Sequence, residues 1–122
     1  MGNNLADPAE MRTVQDITDA YPQLISRAHA RGLKVIGATL TPCEGADIPG
    51  YYSEAKEATR QAVDKWIRMG GAFDGVIDFD AVVRDPNHLS QLLPKFASKD
   101  HLHPNDDGYK AMADSIDLDL FN

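Results

Sequence analysis

Leu33-Lys34-Val35-Ile36-Gly37-Ala38-Thr39-Leu40 decides the fold class. The run is short, β-branched and nearly all apolar, the pattern of a strand buried on both faces. Strands of that kind belong to parallel sheets covered by helices, and the flanking sequence agrees. Upstream, Ile17, Tyr21, Leu24, Ile25 and Ala28 fall at helical spacing and make one apolar stripe. Thr13 is placed to cap that helix, with Asp16 three residues on, and Arg31-Gly32 closes it. Pro22 interrupts the helix and predicts a kink near Tyr21. Residues 1–12 are polar, contain Asp7-Pro8 and read as a loop.

Downstream, Thr41-Pro42 ends the strand, and a loop with Gly45, Pro49 and Gly50 leads to a second helix over about residues 52–69. Ser53 is its cap, Gly70-Gly71 its stop, and Ala55, Thr59, Ala62, Val63, Trp66 and Ile67 its apolar face. Gly75-Val76-Ile77-Asp78-Phe79 reads as a second strand. Residues 80–99, punctuated by Pro86 and Pro94, read as irregular. A last helix over about 105–117 buries Tyr109, Met112, Ala113 and Ile116. Helix–strand–helix–strand–helix implies parallel strands joined by right-handed crossovers, an α/β class. At 122 residues the chain is a single domain of modest core.

A net charge of −7, with Lys and Arg scattered, argues against nucleic acid and against an anionic membrane surface. No apolar run approaches the roughly 20 residues of a membrane span. The start, MGNNLADPAE, has neither a basic n-region nor an apolar h-region, so no signal peptide is expected in this chain. The single cysteine, Cys43, excludes an internal disulfide.

Chemistry concentrates in Asp100-His101-Leu102-His103-Pro104-Asn105. In a tight turn Asp100 can reach one imidazole nitrogen of His103 and leave the other to take a proton from a nucleophile. Pro104 pins the backbone, and Asn105 or Asp106 can cap the following helix. Spacing alone reads first as an ordinary capping turn with a surface histidine, since Asp-x-x-His is short and common. The wider run does not. KDHLHPNDDGYKAMADSI, with Pro104, Asn105, Gly108 and Tyr109 in register, resembles the last block of the SGNH (GDSL-type) hydrolases, a family of esterases and lipases. The other specific stretch is VIGATLTPCEGA, and the resemblance runs from about Leu24 to Phe121.

The resemblance implies a three-layer α/β/α fold around a parallel sheet of the SGNH/flavodoxin-like type. These elements match its last two strands, so residues 1–122 read as a single, partial domain, its C-terminal half. Two strands leave an open edge at 33–40, and completion by homo-oligomerisation or element swapping is expected. The resemblance also implies a carboxylic ester hydrolase acting on a small-molecule ester, bacterial and either secreted or cytoplasmic, with no metal or organic cofactor. His103 would be its base and Asp100 the orienter. The family's serine lies in a Gly-Asp-Ser-Leu motif that does not occur in this chain. Activity would then need another nucleophile or a partner that supplies the missing block; the alternative is a catalytically silent fragment or oligomerising module.

The family also uses an oxyanion-hole asparagine in a Gly-x-Asn-Asp block. Met1-Gly2-Asn3-Asn4-Leu5 offers Asn3 or Asn4, with Asn3 preferred because a hydrophobic residue commonly follows the Asn-Asp pair. Ser26, Ser53, Ser90, Ser98 and Ser115 lack the strand-to-helix setting of an activated serine and read as surface hydroxyls. Cys43 reads as packing. Asp100, His101, His103, Asp106 and Asp107, with His29 and His88, have metal-ligand chemistry but no second spaced pair of ligands, so no metal is expected. Trp66 reads as core, and Tyr51-Tyr52 as a candidate site lining.

Overall fold

A computed structural model describes Leu5 and residues 12–122. Helix α1 spans Val14–His29 and begins as the sequence predicts. The Thr13 side chain accepts from the Asp16 amide, and the Asp16 carboxylate accepts from the Thr13 amide, a reciprocal capping box. Pro22 lies inside the helix. Ile17 and Ile25 are buried, but Leu24, placed on the apolar stripe, is 57% exposed.

Strand β1, Ile36–Ala38, pairs in parallel with β2, Gly75–Ile77, in the register Ile36↔Gly75 to Ala38↔Ile77. Both strands are shorter than the sequence suggests. Leu33 and Ala38 are exposed, so the 33–40 run is not buried on both faces. Among the described residues, β1 has one strand neighbour, which leaves its other side without the cover that the apolar pattern anticipates.

Gly37 is buried because a ring occupies the place of a side chain. A Cβ there would stand 2.6 Å from the Phe73 ring. Phe73 packs edge-on against Tyr21 and Trp66, whose own rings stack at 5.5 Å. This aromatic trio lies on the main core of Leu5, Ile17, Val63 and Ile67. Leu5 has helical backbone and is 5% exposed, so the polar-loop reading of residues 1–12 fails at that position.

Helix α2, Glu54–Met69, is capped by Ser53, whose hydroxyl accepts from the Lys56 amide at 3.2 Å. Val63 and Ile67 face the core as expected, whereas Ala55 is exposed. The segment 80–99 is not irregular. It folds as α3 (Phe79–Val83), an antiparallel hairpin of β3 (Arg84–Asp85) and β4 (His88–Leu92), and a 3-10 turn (Pro94–Phe96). Its prolines punctuate without disrupting: Pro86 falls in the hairpin turn, where the Asp85 carboxylate accepts from the Asn87 amide, and Pro94 opens the 3-10 turn. Helix α4, Asp106–Asp114, is shorter than the predicted last helix. Tyr109, expected inside, is 51% exposed and Ala113 is exposed, while Met112 and Ile116 are half-buried.

Candidate active site

The Asp100–His103 turn is fastened on three sides. Ser98 N–H donates to the His103 carbonyl at 2.9 Å, and the Ser98 hydroxyl donates to the Pro104 carbonyl at 3.1 Å. The Asp100 carbonyl accepts from the Asp47 amide at 2.9 Å, which ties the turn to the loop after β1. Asn105 caps α4 by accepting from Gly108 N–H, and its amide donates to the Lys95 and Ala97 carbonyls. Gly108 permits the close approach: a Cβ there would meet the Phe96 carbonyl at 2.7 Å and Pro104 at 2.8 Å. His101 takes up the bend with φ +53°, a left-handed conformation uncommon outside glycine.

Within this frame the Asp100 carboxylate accepts three hydrogen bonds. One oxygen meets His103 Nδ1 at 2.7 Å; the other accepts the Leu102 and His103 amides at 3.0 Å each. These bonds, the imidazole first, hold the Asp100 carboxyl well below the usual carboxylate range. An ionised carboxylate can only accept, so Nδ1 must carry the proton. In the neutral ring the lone pair then sits on Nε2. The side chains are 63% and 42% exposed, so Nε2 can be approached from outside. The sequence-based pairing of Asp100 with His103 is thus present as geometry.

The imidazole borders a cleft of about 520 Å³ lined by Thr41, Ile48, Tyr51, Leu102, His103, Pro104, Tyr109 and Met112. Thr41, Ile48 and Tyr51 belong to the segment that follows β1, so the cleft lies beyond the carboxyl end of a parallel strand, where α/β sheets characteristically bind ligands. Tyr51 thereby takes the lining position anticipated for it. Tyr109 is exposed because it lines this cleft instead of the core.

A buried charged cluster, which the sequence does not announce, lies beside the strand ends. Arg60, on α2, is 4% exposed, and Asp64 and Asp80 are 0% exposed. Arg60 donates to Glu57, Asp64, Asp80 and the Leu40 carbonyl. Asp64 also accepts the Leu40 amide at 2.7 Å, and Asp80 also accepts from Arg68 and Arg84. Thr39 donates to Asp78 and accepts from the Asp80 amide. Burial pushes Asp64 up to about 6, against the pull of the Leu40 amide and Arg60. The forked bond from Arg68 draws Asp78 down to about 2. This lattice holds Thr39 and Leu40, the two residues that precede Thr41 of the cleft lining. Arg60 and Asp64 at spacing i, i+4 on an apolar helix face were the available signal.

The remaining candidates fall elsewhere. Ser53 is spent as a cap, Ser90 donates to Glu44, Ser98 to Pro104 and Ser115 to the Met112 carbonyl at 2.7 Å. Ser26 is exposed on α1. Cys43 is half-buried, and burial raises its thiol pKa. His29 pairs with Asp74 at 2.8 Å, before the strands rather than beyond them. Among the described residues no three His, Cys, Asp or Glu side chains gather as a metal ligand set, and no helix is long and apolar enough to cross a membrane. Asn3 and Asn4 lie outside the described residues.

Comparison with known proteins gives one family. Residues 4–116 match the model of the GDSL-like lipase/acylhydrolases. The match begins upstream of Leu24, the start of the resemblance in sequence. No curated protein matches the chain.

Proposed function

The chain belongs to the GDSL-like lipase/acylhydrolase family, a family of hydrolases, and from that membership we propose that it hydrolyses carboxylic esters of small molecules. His103 is the general base and then the general acid, and Asp100 is its orienting partner. The observation that carries the proposal is the 2.7 Å contact of His103 Nδ1 with Asp100, made by an imidazole that lines the cleft.

In this reading a serine hydroxyl gives its proton to Nε2 as its oxygen bonds to the ester carbonyl carbon. The resulting imidazolium is stabilised by the ionised Asp100. The proton then passes to the departing alkoxide as the ester C–O bond breaks. Water repeats the sequence on the acyl-enzyme and releases the acid. Each tetrahedral intermediate places charge on the former carbonyl oxygen. Asn3, or Asn4 in the other register, is proposed as a side-chain donor to that oxyanion, since an amide donates without carrying charge.

The hydroxyls of Ser53, Ser90, Ser98 and Ser115 bond to partners other than the imidazole, so none of them is assigned as nucleophile. The nucleophile is instead supplied by a segment joined to this domain or by a partner. The same reading extends β1 on its open side into a larger parallel sheet within a three-layer arrangement, through such a segment or a second copy of the chain.

The test is labelling. The protein, isolated as its cells make it with any joined segment retained, is treated with a fluorophosphonate, digested and analysed by mass spectrometry. One serine labelled in wild type, and labelled at least about 100-fold more slowly in His103→Ala, supports the proposal. Labelling that is absent, or indifferent to His103, overturns it and leaves the Asp100–His103 turn a structural feature.

A further inference from the structure

Next to the cleft lies a second space. A cavity of about 170 Å³ is lined in part by Leu5, Leu40, Cys43, Tyr51 and Leu102. Thr41, Tyr51 and Leu102 line both this cavity and the cleft at His103. They are therefore the residues common to the two spaces.

The cavity wall also holds Lys56, Glu57 and Arg60, but these charges have partners in the protein. Arg60 Nε and Nη2 fork onto the Glu57 carboxylate at 2.8 and 2.6 Å, and Arg60 Nη1 donates to Leu40, Asp64 and Asp80. The Lys56 ammonium donates to the Gly50 carbonyl. An ionic guest would have to displace these bonds, whereas an apolar guest gains from Leu5, Leu40, Cys43 and Leu102. Size sets the second limit. An engineered apolar cavity of about 150 Å³ accepts benzene, a six-carbon molecule.

We infer that this cavity receives one short apolar arm of the ester, about six carbons or fewer, and that Tyr51 and Leu102 set the length that fits. The inference rests on the proposed ester chemistry for the placing of the scissile carbonyl beside His103. The acyl arm and the alcohol arm are chemically alike here, and the test separates them.

Binding is measured with methyl ketones, which carry an alkyl arm and a carbonyl but cannot be hydrolysed. Amide NMR signals of the isotope-labelled protein are followed on adding 2-heptanone or 2-dodecanone. The inference expects saturable shifts at Leu40, Cys43 and Leu102 with 2-heptanone, and binding at least tenfold weaker at those signals with 2-dodecanone. Cys43→Phe, which fills the cavity, should weaken 2-heptanone at least tenfold. Leu102→Ala, which trims a residue common to the two spaces, should remove the discrimination against 2-dodecanone, so a misfolded Cys43→Phe would not leave the inference without a test. Shifts confined to Ile48, Tyr109 and Met112, or a Leu102→Ala variant with unchanged length preference, overturn it. Hydrolysis of methyl alkanoates and of alkyl acetates of increasing length then identifies the arm: the series whose kcat/KM collapses beyond about six carbons is the one in the cavity, and no collapse in either overturns the inference. Ketone binding needs no turnover. Saturable binding without hydrolysis refutes the proposed chemistry alone; hydrolysis without ketone binding refutes the cavity alone.

Discussion

Asp80→Asn tests whether the buried charge lattice holds the carboxyl end of the sheet together. The substitution keeps the side chain's shape and removes its charge. Asp80 is fully buried and accepts from Arg60 at 2.8 Å, Arg68 at 2.6 Å and Arg84 at 2.7 Å. Arg60 is itself buried, so its charge-assisted bond is worth about 2–3 kcal/mol. The Arg68 and Arg84 side chains are 25% and 31% exposed and can recover hydration, so their bonds are worth about 1 kcal/mol or less each. The expected loss is about 2–5 kcal/mol, overlapping the range typical of removing one partner from a buried ion pair. At roughly 4 °C per kcal/mol for a domain of this size, Tm should fall by about 8–20 °C. Urea unfolding followed by Trp66 fluorescence measures the difference. The control is Asp114→Asn, which breaks the exposed Lys110–Asp114 pair and should leave the unfolding midpoint close to that of wild type. An Asp80→Asn variant within about 1 kcal/mol of wild type would refute the reasoning, since Asp80 would then not be charged and paired as described.

Three further outcomes follow from the geometry. Gly37→Ala drives a methyl into the Phe73 ring and should destabilise by about 1–3 kcal/mol, with much of the loss recovered in Gly37→Ala/Phe73→Leu; an unaltered melt would mean that the ring has room to move. Asp78, held near 2 by Arg68, contributes stability above about pH 4 that is lost as pH falls through about 2, because the unfolded carboxylate takes up its proton first. Acid titration of Asp78→Asn should therefore show a flatter fall in stability between pH 4 and pH 2 than wild type, and a parallel fall would contradict the pairing. Asp100→Asn removes the acceptor that fixes the His103 tautomer and should lower kcat on the order of 10²–10⁴-fold with KM little changed; a KM effect alone would assign Asp100 to binding.

The elements were legible where local physics dominates. The Thr13, Ser53 and Asn105 caps are single-turn events that a sequence states outright, and Asp-x-x-His followed by proline specifies its own turn. What depends on distant chain was less legible. Nothing local to residues 33–40 tells how many strands flank them, so an apolar run read as doubly buried leaves Leu33 and Ala38 exposed. Pro86 and Pro94 suggested irregularity because a proline's disruption depends on whether its missing N–H was needed, and here one falls in a turn and the other opens a 3-10 helix. Tyr109 sits at a core-like spacing on α4 but turns to the cleft. Arg60, Asp64 and Asp80 were not legible because charged residues are buried only when partners from other elements meet them, and those partners come from the segment just after β1, from α3 and from the hairpin. At the candidate site, the contact of Asp100 with His103 and the cleft-lining position of Tyr51 were legible; the cavity lined by Tyr51 and Leu102 was not, since empty space leaves no residue pattern.

Hydrolysis tests the central claim most directly. The protein as its cells make it and its His103→Ala variant are assayed side by side at pH 7.5 on p-nitrophenyl butyrate, with circular dichroism confirming that both are folded. The account expects turnover well above background in wild type and at least about 100-fold less in the variant. Equal rates in the two folded proteins would contradict it and remove the imidazole beside Asp100 from the chemistry.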